Sequence, residues 1–140
     1  MSIDRERARH AFQTINALPK NVGKYTSYVK ALPASILQNG LGQAMATLLA
    51  ASKGKPAMDG DAVNEPHRLL YEHIQTWLCR DNRSAPYRTT NGTEATNTQL
   101  MDAITEGDEA AYIRAQAEAL AYLSWLKKFA TAFRPEGERQ

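Results

Sequence analysis

The chain has 140 residues, of which 43% are hydrophobic and 23% are charged, and its net charge at pH 7 is +2. A chain of this length is expected to form one domain around a single core. So small a net charge excludes a protein that holds a polyanion through its overall charge, and any nucleic-acid contact would need local clusters of basic residues. The single cysteine, Cys79, excludes an internal disulfide framework and favours a reducing compartment.

The first helix is predicted at residues 4–18, where Ala8, Phe12 and Ile15 mark the inner face and Asp4 is the expected N-cap. The start of the chain is too charged for a signal peptide, which needs an uninterrupted apolar stretch. We therefore expect a cytoplasmic protein.

A second helix is predicted from residue 22 to residue 32, and in it Lys24 and Lys30 flank Tyr25 and Tyr28. Cations interleaved with aromatic rings can bind single-stranded nucleic acid, because the cations contact phosphates and the rings stack on bases. Burial of both tyrosines in the core, with their hydroxyls reaching the surface, is the alternative interpretation.

Residues 31–52 contain no formally charged side chain, which indicates that something covers this segment. Pro33 fits the first turn of a helix and pushes Leu32 out of helical geometry, so a new helix is predicted after Pro33 and up to about Ser52. Its apolar stripe consists of Leu37, Leu41, Ala44, Met45 and Leu48. Several Asn, Gln, Ser and Thr residues make the segment too polar for a membrane span.

Two glycines interrupt this helix in the sequence Asn39-Gly40-Leu41-Gly42, and each costs about 1 kcal/mol relative to alanine. Interior glycines usually have a packing or a functional reason. One use is the close approach of a neighbouring helix of the same fold. The other is the close approach of a partner chain or a nucleic-acid backbone, helped by the side chains of Asn39 and Gln43. Spacing alone does not separate the two.

A loop is predicted at residues 54–62, followed by a helix over residues 65–80 with Asn64 as its cap. His67 and His73 in that helix are six residues apart and lie on different faces, whereas a helical metal pair needs a spacing of four. We therefore expect no metal site, and no cofactor motif occurs in the sequence.

Residues 81–95 are predicted to form a flexible surface loop, because they are rich in turn-forming residues and contain almost nothing apolar. Arg83 and Arg88, with Tyr87 between them, make this the most basic irregular segment. The loop could contact a phosphate backbone, or it could serve only as a connector.

Two more helices are predicted in the last third of the chain. A short one begins with a capping box at Thr96 and ends at Gly107, and a long one covers residues 109–133. Lys127 and Lys128 lie in the last turns of the long helix, where cations also complement the helix dipole.

The whole chain, residues 1–140, is predicted to be all-α, a compact single-domain bundle of about five or six helices with a disordered tail at residues 135–140. No segment shows the alternation typical of a strand. No arrangement of nucleophile, base or paired carboxylates emerges, so we expect no catalytic residues and favour a binding protein. A dimeric helical DNA-binding transcriptional regulator and a small-molecule enzyme with a deep pocket are the other classes considered.

Two separated blocks of the sequence resemble one protein family. The first, at residues 25–43, contains the elements Pro-x-x-Ile and Asn-Gly-Leu-Gly-Gln, and the second, at residues 112–130, is similar to the closing helix of the same family. The family is the small all-helical subunit of the Cmr complex, the type III-B CRISPR RNA-guided effector.

This resemblance implies a non-catalytic subunit that takes part in antiviral defence and stacks in more than one copy. Its implied partners are the crRNA-binding backbone subunit, the polymerase-like large subunit, the cap subunit, further copies of itself, crRNA and target RNA, with no membrane. In that picture the RNA contacts are Lys24, Lys30, Arg83, Arg88, Lys127 and Lys128, and the positions of assembly or close approach are Asn39, Gly40 and Gln43.

Overall fold

Five α-helices form the described part of the computed structural model, which covers residues 2–52, 65–89 and 98–135. They are α1 (Ile3–Asn16), α2 (Tyr25–Ala51), α3 (Pro66–Leu78), α4 (Gln99–Glu106) and α5 (Glu109–Phe133). No strand occurs in these three ranges, and the predicted all-α class is confirmed. The predicted loop at residues 54–62 and the tail beyond residue 135 lie outside the described residues.

Helix α5 packs against three other helices, α1, α2 and α3. Helix α1 runs along α5 in the same direction, because Arg7 contacts Glu118 near the start of α1 whereas the carbonyl oxygen of Leu18 accepts from Arg134 beyond its end. This arrangement joins the two ends of the chain into one core.

Helix α2 runs along α5 in the opposite direction. Thr26 near the start of α2 contacts Arg134, and Leu41 in its second half contacts Gln116. Helix α3 covers α2, and the short helix α4 lies against both.

The first helix is capped by Ser2, whose hydroxyl oxygen accepts a backbone N–H of the first turn at 3.2 Å. The predicted cap Asp4 is wrong, because its carboxylate lies inside the first turn and accepts from Nε1 of Trp125 at 3.0 Å. Ile15 is buried as predicted. Phe12 is not an inner-face residue: it is 41% exposed, because it lies against the end of α5 rather than under the bundle.

The break in the central helix lies at Gly40 and not at Leu32 as predicted, since α2 continues through Pro33. Gly40 has non-helical dihedral angles (φ 88°, ψ 158°), a region that is essentially restricted to glycine. Leu37 was expected in the same buried stripe as Leu41, but it is 70% exposed. The cause is the break, which changes the side of the helix that faces the core.

Helix α3 begins at Pro66, and Glu65 caps it by accepting the backbone N–H of Arg68 at 2.9 Å. The predicted cap Asn64 is therefore wrong: a proline occupies the first helical position, which makes the residue before it the N-cap. The predicted capping residue of α4, Thr96, lies outside the described residues. The predicted span of α5, residues 109–133, is confirmed.

Candidate RNA and subunit interface

The break at Gly40 is filled by side chains of α5. The backbone N–H of Leu41 donates to Oε1 of Gln116 at 2.9 Å, and that of Gly42 donates to the hydroxyl oxygen of Tyr112 at 3.0 Å. A Cβ atom on Gly40 would lie only 3.0 Å from the same hydroxyl oxygen. The close approach at this glycine is therefore made by a helix of the same chain.

An uncharged surface surrounds this break and includes the exposed side chains of Asn39 and Gln43. Two aliphatic side chains also face solvent, Leu37 at 70% and Ile113 at 60% exposure. An open cleft of about 340 Å³ lies at Ile113 on α5 and is lined by Glu109, Tyr112, Ile113, Gln116, Ala117 and Leu120. Exposed apolar residues mixed with neutral polar groups are typical of protein–protein interfaces. The assembly roles of Asn39 and Gln43 stay predictions.

Three of the predicted RNA contacts lie toward one end of the bundle. The hydroxyl of Thr26 donates to the carbonyl oxygen of Arg134 at 2.7 Å, which places the start of α2 beside the end of α5. Lys24 lies just before α2. Lys30 follows Thr26 by four residues, and Lys127 precedes Arg134 by seven residues. All three lysines are exposed. Residues 18–52 and 119–135 contain no Asp or Glu, so α2 and this half of α5 contribute only cations. The start of α3 lies beside Gly23 and adds one carboxylate, Glu65, which bonds to His67 and to the N–H of Arg68. We call the three lysines the lysine cluster.

Lys127 and Lys128 belong to different surfaces although they are neighbours in sequence. Lys128 lines a cleft beside α1 together with Asp4 and Trp125. Lys127 lies about 100° around the helix from it. Lys127 lies eleven residues after Gln116, which is about three helical turns, so the two residues share one face of α5. Gln116 faces α2. Lys127 therefore lies on the α2 side.

Arg83 and Arg88 lie at the opposite end of α5 from the lysine cluster. The segment that carries them folds back on α3, because the N–H of Tyr87 donates to the last carbonyl oxygen of that helix at 3.1 Å. The ring of Tyr87 also lies against Gly107, just before α5. At 1.5 Å per residue, this places Tyr87 roughly 30 Å from Lys127 along the helix. The structure thus separates the predicted RNA contacts into groups.

The two arginines differ in their contacts. Arg83 is exposed, whereas Nε of Arg88 donates to the carboxylate of Asp81 at 2.8 Å. The two side chains of this ion pair are 46% and 61% exposed, so the pair is weak and a phosphate could take the place of the carboxylate. Residues 90–95 of the predicted flexible loop lie outside the described residues.

The two tyrosines near the lysine cluster are engaged within the fold. Tyr25 is fully buried, and its hydroxyl forms a hydrogen bond of 2.7 Å with Nδ1 of His73. Tyr28 stacks on His67 with ring centroids 4.0 Å apart. These contacts favour the core interpretation of both rings over stacking on bases.

A polar network centred on Glu118 was not predicted from the sequence. Its carboxylate accepts hydrogen bonds from Nε and Nη2 of Arg7 at 2.7 and 2.9 Å and from Nε1 of Trp77 at 2.8 Å. The Trp77 ring stacks on Tyr122 at 5.1 Å, and the Tyr122 hydroxyl forms a hydrogen bond of 2.7 Å with His10. These residues come from three helices, and Arg7 and Glu118 are 111 positions apart in the chain, so no local sequence pattern links them.

Burial keeps both histidines of the interior neutral. It lowers the pKa of His10 to about 4, with a smaller contribution from the charge of Arg80. It also lowers the pKa of His73 to about 4, again with a smaller contribution from His10. Neutral imidazoles that bond to tyrosine hydroxyls have a structural role here.

In the part of the chain that the structure describes, no three His, Cys, Asp or Glu side chains are grouped so as to hold a metal ion. Within the same ranges, no helix combines the length and the apolarity needed to cross a bilayer. Cys79 is buried, and burial raises the pKa of its thiol to about 12, which favours packing over nucleophilic chemistry.

Together these features define a small all-helical protein with an uncharged surface around a helix break and separate groups of exposed cations. The family model described as "CRISPR-associated protein (Cas_Cmr5)" matches residues 3–133. The chain therefore belongs to this family of CRISPR-associated subunits of the Cmr complex. The resemblance seen in the two sequence blocks is confirmed, and the matched range also includes the middle of the chain.

Proposed function

We propose that this chain is a non-catalytic small subunit that stacks in more than one copy along the RNA-guided Cmr effector and lines the channel that holds crRNA and target RNA. Membership of the family supports the association with a Cmr complex. The observation that carries the RNA contact is the lysine cluster, three exposed cations in acid-free segments. Base pairing would supply specificity, and this subunit would supply charge and shape.

The lysine cluster suits contacts with an RNA backbone rather than with bases. Exposed ammonium groups can approach phosphates and release counterions without sequence preference. With a net charge of only +2, the affinity would depend on this local cluster and on additional contacts elsewhere. Lys128, Arg83 and Arg88 are proposed as those contacts, on other faces of the same subunit.

The uncharged surface around the α2 break is proposed as the main protein interface. It offers Leu37 and Ile113 as exposed aliphatic anchors and Asn39 and Gln43 as neutral polar groups. Covering such a surface buries apolar area, and Glu109 is the one charged residue that lines its cleft. The proposed partners are the crRNA-binding backbone subunit, the polymerase-like large subunit, the cap subunit and further copies of this chain.

The test of the RNA contact is a reconstituted Cmr complex in which Lys24, Lys30 and Lys127 are replaced together by alanine. Target RNA should bind more weakly, and the slope of log K against log [salt] should decrease by about 0.7–0.9 for each lost phosphate contact. The matched control is Arg114→Ala, which removes an exposed cation from the first half of α5.

Two results would contradict this assignment. Unchanged affinity and slope in an intact complex would remove the lysine cluster from the RNA channel. Loss of the variant subunit from the complex would assign the lysines to protein assembly instead.

A further inference from the structure

An aromatic face lies where the second half of α5 meets α1. It consists of Trp125, Phe129 and Phe133, which follow one another at intervals of one helical turn, and of Phe12 from α1. Neighbouring rings on α5 are nearly parallel, with interplanar angles of 24° and 17° and centroid separations of 5.8 and 6.3 Å. Phe12 meets Phe129 and Phe133 edge-on at 5.3 and 5.9 Å.

Core packing does not explain how much of this face is exposed. Phe12 is 41% and Phe133 is 53% exposed, although both rings touch other rings. Large apolar side chains that form a contiguous exposed group mark interaction sites on soluble proteins. The aromatic face is therefore an interaction surface with a specific chemistry.

Cations flank the aromatic face. Lys128 lies one turn after Trp125, and the two side chains line an open cleft of about 420 Å³ with Asp4, Ala121 and Ser124. Arg5 is exposed and lies about two helical turns before Phe12, on the same face of α1. The one carboxylate of the cleft, Asp4, accepts from Trp125 at 3.0 Å and from Arg7 at 3.1 Å, and Arg7 also pairs with Glu118.

We propose that the aromatic face stacks on unpaired bases of RNA, while Lys128 and Arg5 contact the adjoining phosphates. This inference rests on the proposed function and deepens it, because it names a single strand as the RNA that this face binds. Stacking accepts every base, since every base has a π-face. The rings of α5 already stack on one another, so a base that stacks on the exposed Phe133 would continue this series.

The chemistry of the surroundings favours RNA over a protein partner at this face. The exposed apolar surface around the α2 break is aliphatic, with Leu37 and Ile113, and its cleft is lined by Glu109. The aromatic face instead combines π-systems with cations, and residues 119–135 contain no acidic side chain. The two exposed surfaces thus differ in the ligands they suit, and only the aromatic one suits bases.

The first test uses the assembled Cmr complex without any substitution in this chain. RNA that carries 4-thiouridine in an unpaired segment is bound, irradiated and digested, and the crosslinked peptides are identified by mass spectrometry. We expect crosslinks within residues 125–133.

The second test compares Phe133→Leu with Phe133→Tyr in the same complex. Stacking predicts that Phe133→Leu binds the unpaired segment about 5- to 100-fold more weakly, whereas Phe133→Tyr binds as the parent does. Because Phe133 is exposed, both variants should unfold at the parental temperature. Gln13→Ala is the control for replacement of an exposed side chain, because Gln13 is exposed on α1 next to Phe12 but belongs to neither proposed surface.

Parental affinity of Phe133→Leu together with no crosslink in residues 125–133 would overturn the inference. If the triple substitution of the lysine cluster still weakened RNA binding, the proposed function would stand without it. If neither Phe133→Leu nor the triple lysine substitution changed RNA binding, the proposed RNA-binding role itself would be contradicted. Dissociation of the subunit in Phe133→Ala but not in Phe133→Leu would identify the face as a protein contact and would also overturn the inference.

Discussion

Gln116 on α5 accepts a hydrogen bond from the backbone N–H of Leu41 on α2 at 2.9 Å. Helical hydrogen bonding restarts after Gly40, and the first N–H groups of a helical segment have no acceptor within it. Gln116 therefore acts as a cap supplied from a neighbouring helix, and Tyr112 supplies a second one to Gly42. These two bonds fix the direction of the second half of α2 and the shape of the uncharged surface around it.

Gly40→Ala should lower the free energy of unfolding by about 1–3 kcal/mol. Its dihedral angles (φ 88°, ψ 158°) suit only glycine, and the new Cβ atom would lie 3.0 Å from the Tyr112 hydroxyl oxygen. Gly42→Ala is the matched control, because its Cβ atom would contact Ile104 at an ordinary 3.5 Å. It should stay within about 1 kcal/mol of the parent. Urea denaturation measures both, and equal losses would contradict this account of the break.

Glu118→Ala should destabilise the fold by roughly 2–4 kcal/mol, because it leaves the indole N–H of Trp77 without an acceptor and the guanidinium of Arg7 with only the exposed Asp4 as partner. The side chains of Arg7 and Glu118 are mostly buried, with exposures of 18% and 11%, respectively. Asp81→Ala breaks an ion pair whose members are 61% and 46% exposed, and it should cost less than about 1 kcal/mol. Chemical denaturation compares the two, and similar costs would mean that the Glu118 network adds little stability.

Stability should decrease as the pH is lowered from about 6.5 to about 4. The ordinary pKa of histidine is 6.5, and burial lowers the pKa of His10 and of His73 to about 4 in the folded protein. Between these values the unfolded chain binds protons that the folded chain does not. Each histidine then removes up to about 1.4 kcal/mol per pH unit from the free energy of unfolding. His10 contributes less than this because its ring is partly open to solvent.

His73→Gln provides the control for this pH dependence. Glutamine does not titrate and can still form a hydrogen bond with the hydroxyl of Tyr25, the partner of His73 at 2.7 Å. The variant should show a shallower loss of stability between pH 6.5 and 4 in urea titrations at a series of pH values. A slope equal to that of the parent would show that folding does not lower the pKa of His73.

Cys79 should react very slowly with thiol reagents in the native protein. Its side chain is buried, and burial raises the pKa of the thiol to about 12, so little thiolate exists at neutral pH. Because it is the only cysteine, an absorbance assay with a disulfide reagent reports on this site alone. We expect one thiol to react rapidly in denaturant and slowly without it. Rapid reaction of the native protein would contradict the burial of this side chain.

The span of α5 could be predicted because its signals are local. Gly107 ends one helix, Asp108 caps the next by accepting from a first-turn N–H, and apolar residues recur at helical spacing up to Phe133. The break in α2 could not be predicted in this way. Pro33 is the conspicuous helix breaker, because an interior proline removes a hydrogen bond and crowds the preceding turn, yet α2 continues through it. The positive φ of Gly40 instead depends on acceptors from a helix some 70 residues later.

The sequence predicts which residue types the candidate site uses, but it does not predict which of them lie together on one surface. Sequence identifies the cations, yet their grouping depends on helix directions, which place Lys127 toward α2 and Lys128 beside Trp125. The same limit applies to the Glu118 network, since Arg7 is 111 positions away in the chain. Contacts over such separations have no periodic signal, and only the packed fold brings the partners together.

The most direct test of the central claim is purification of the tagged protein from its native cells, with identification of the accompanying proteins and small RNAs. A subunit that stacks along an RNA-guided effector should be recovered with the other Cmr subunits and with short guide RNAs of uniform length. Its recovery alone and free of RNA would contradict the claim that this chain works inside that complex.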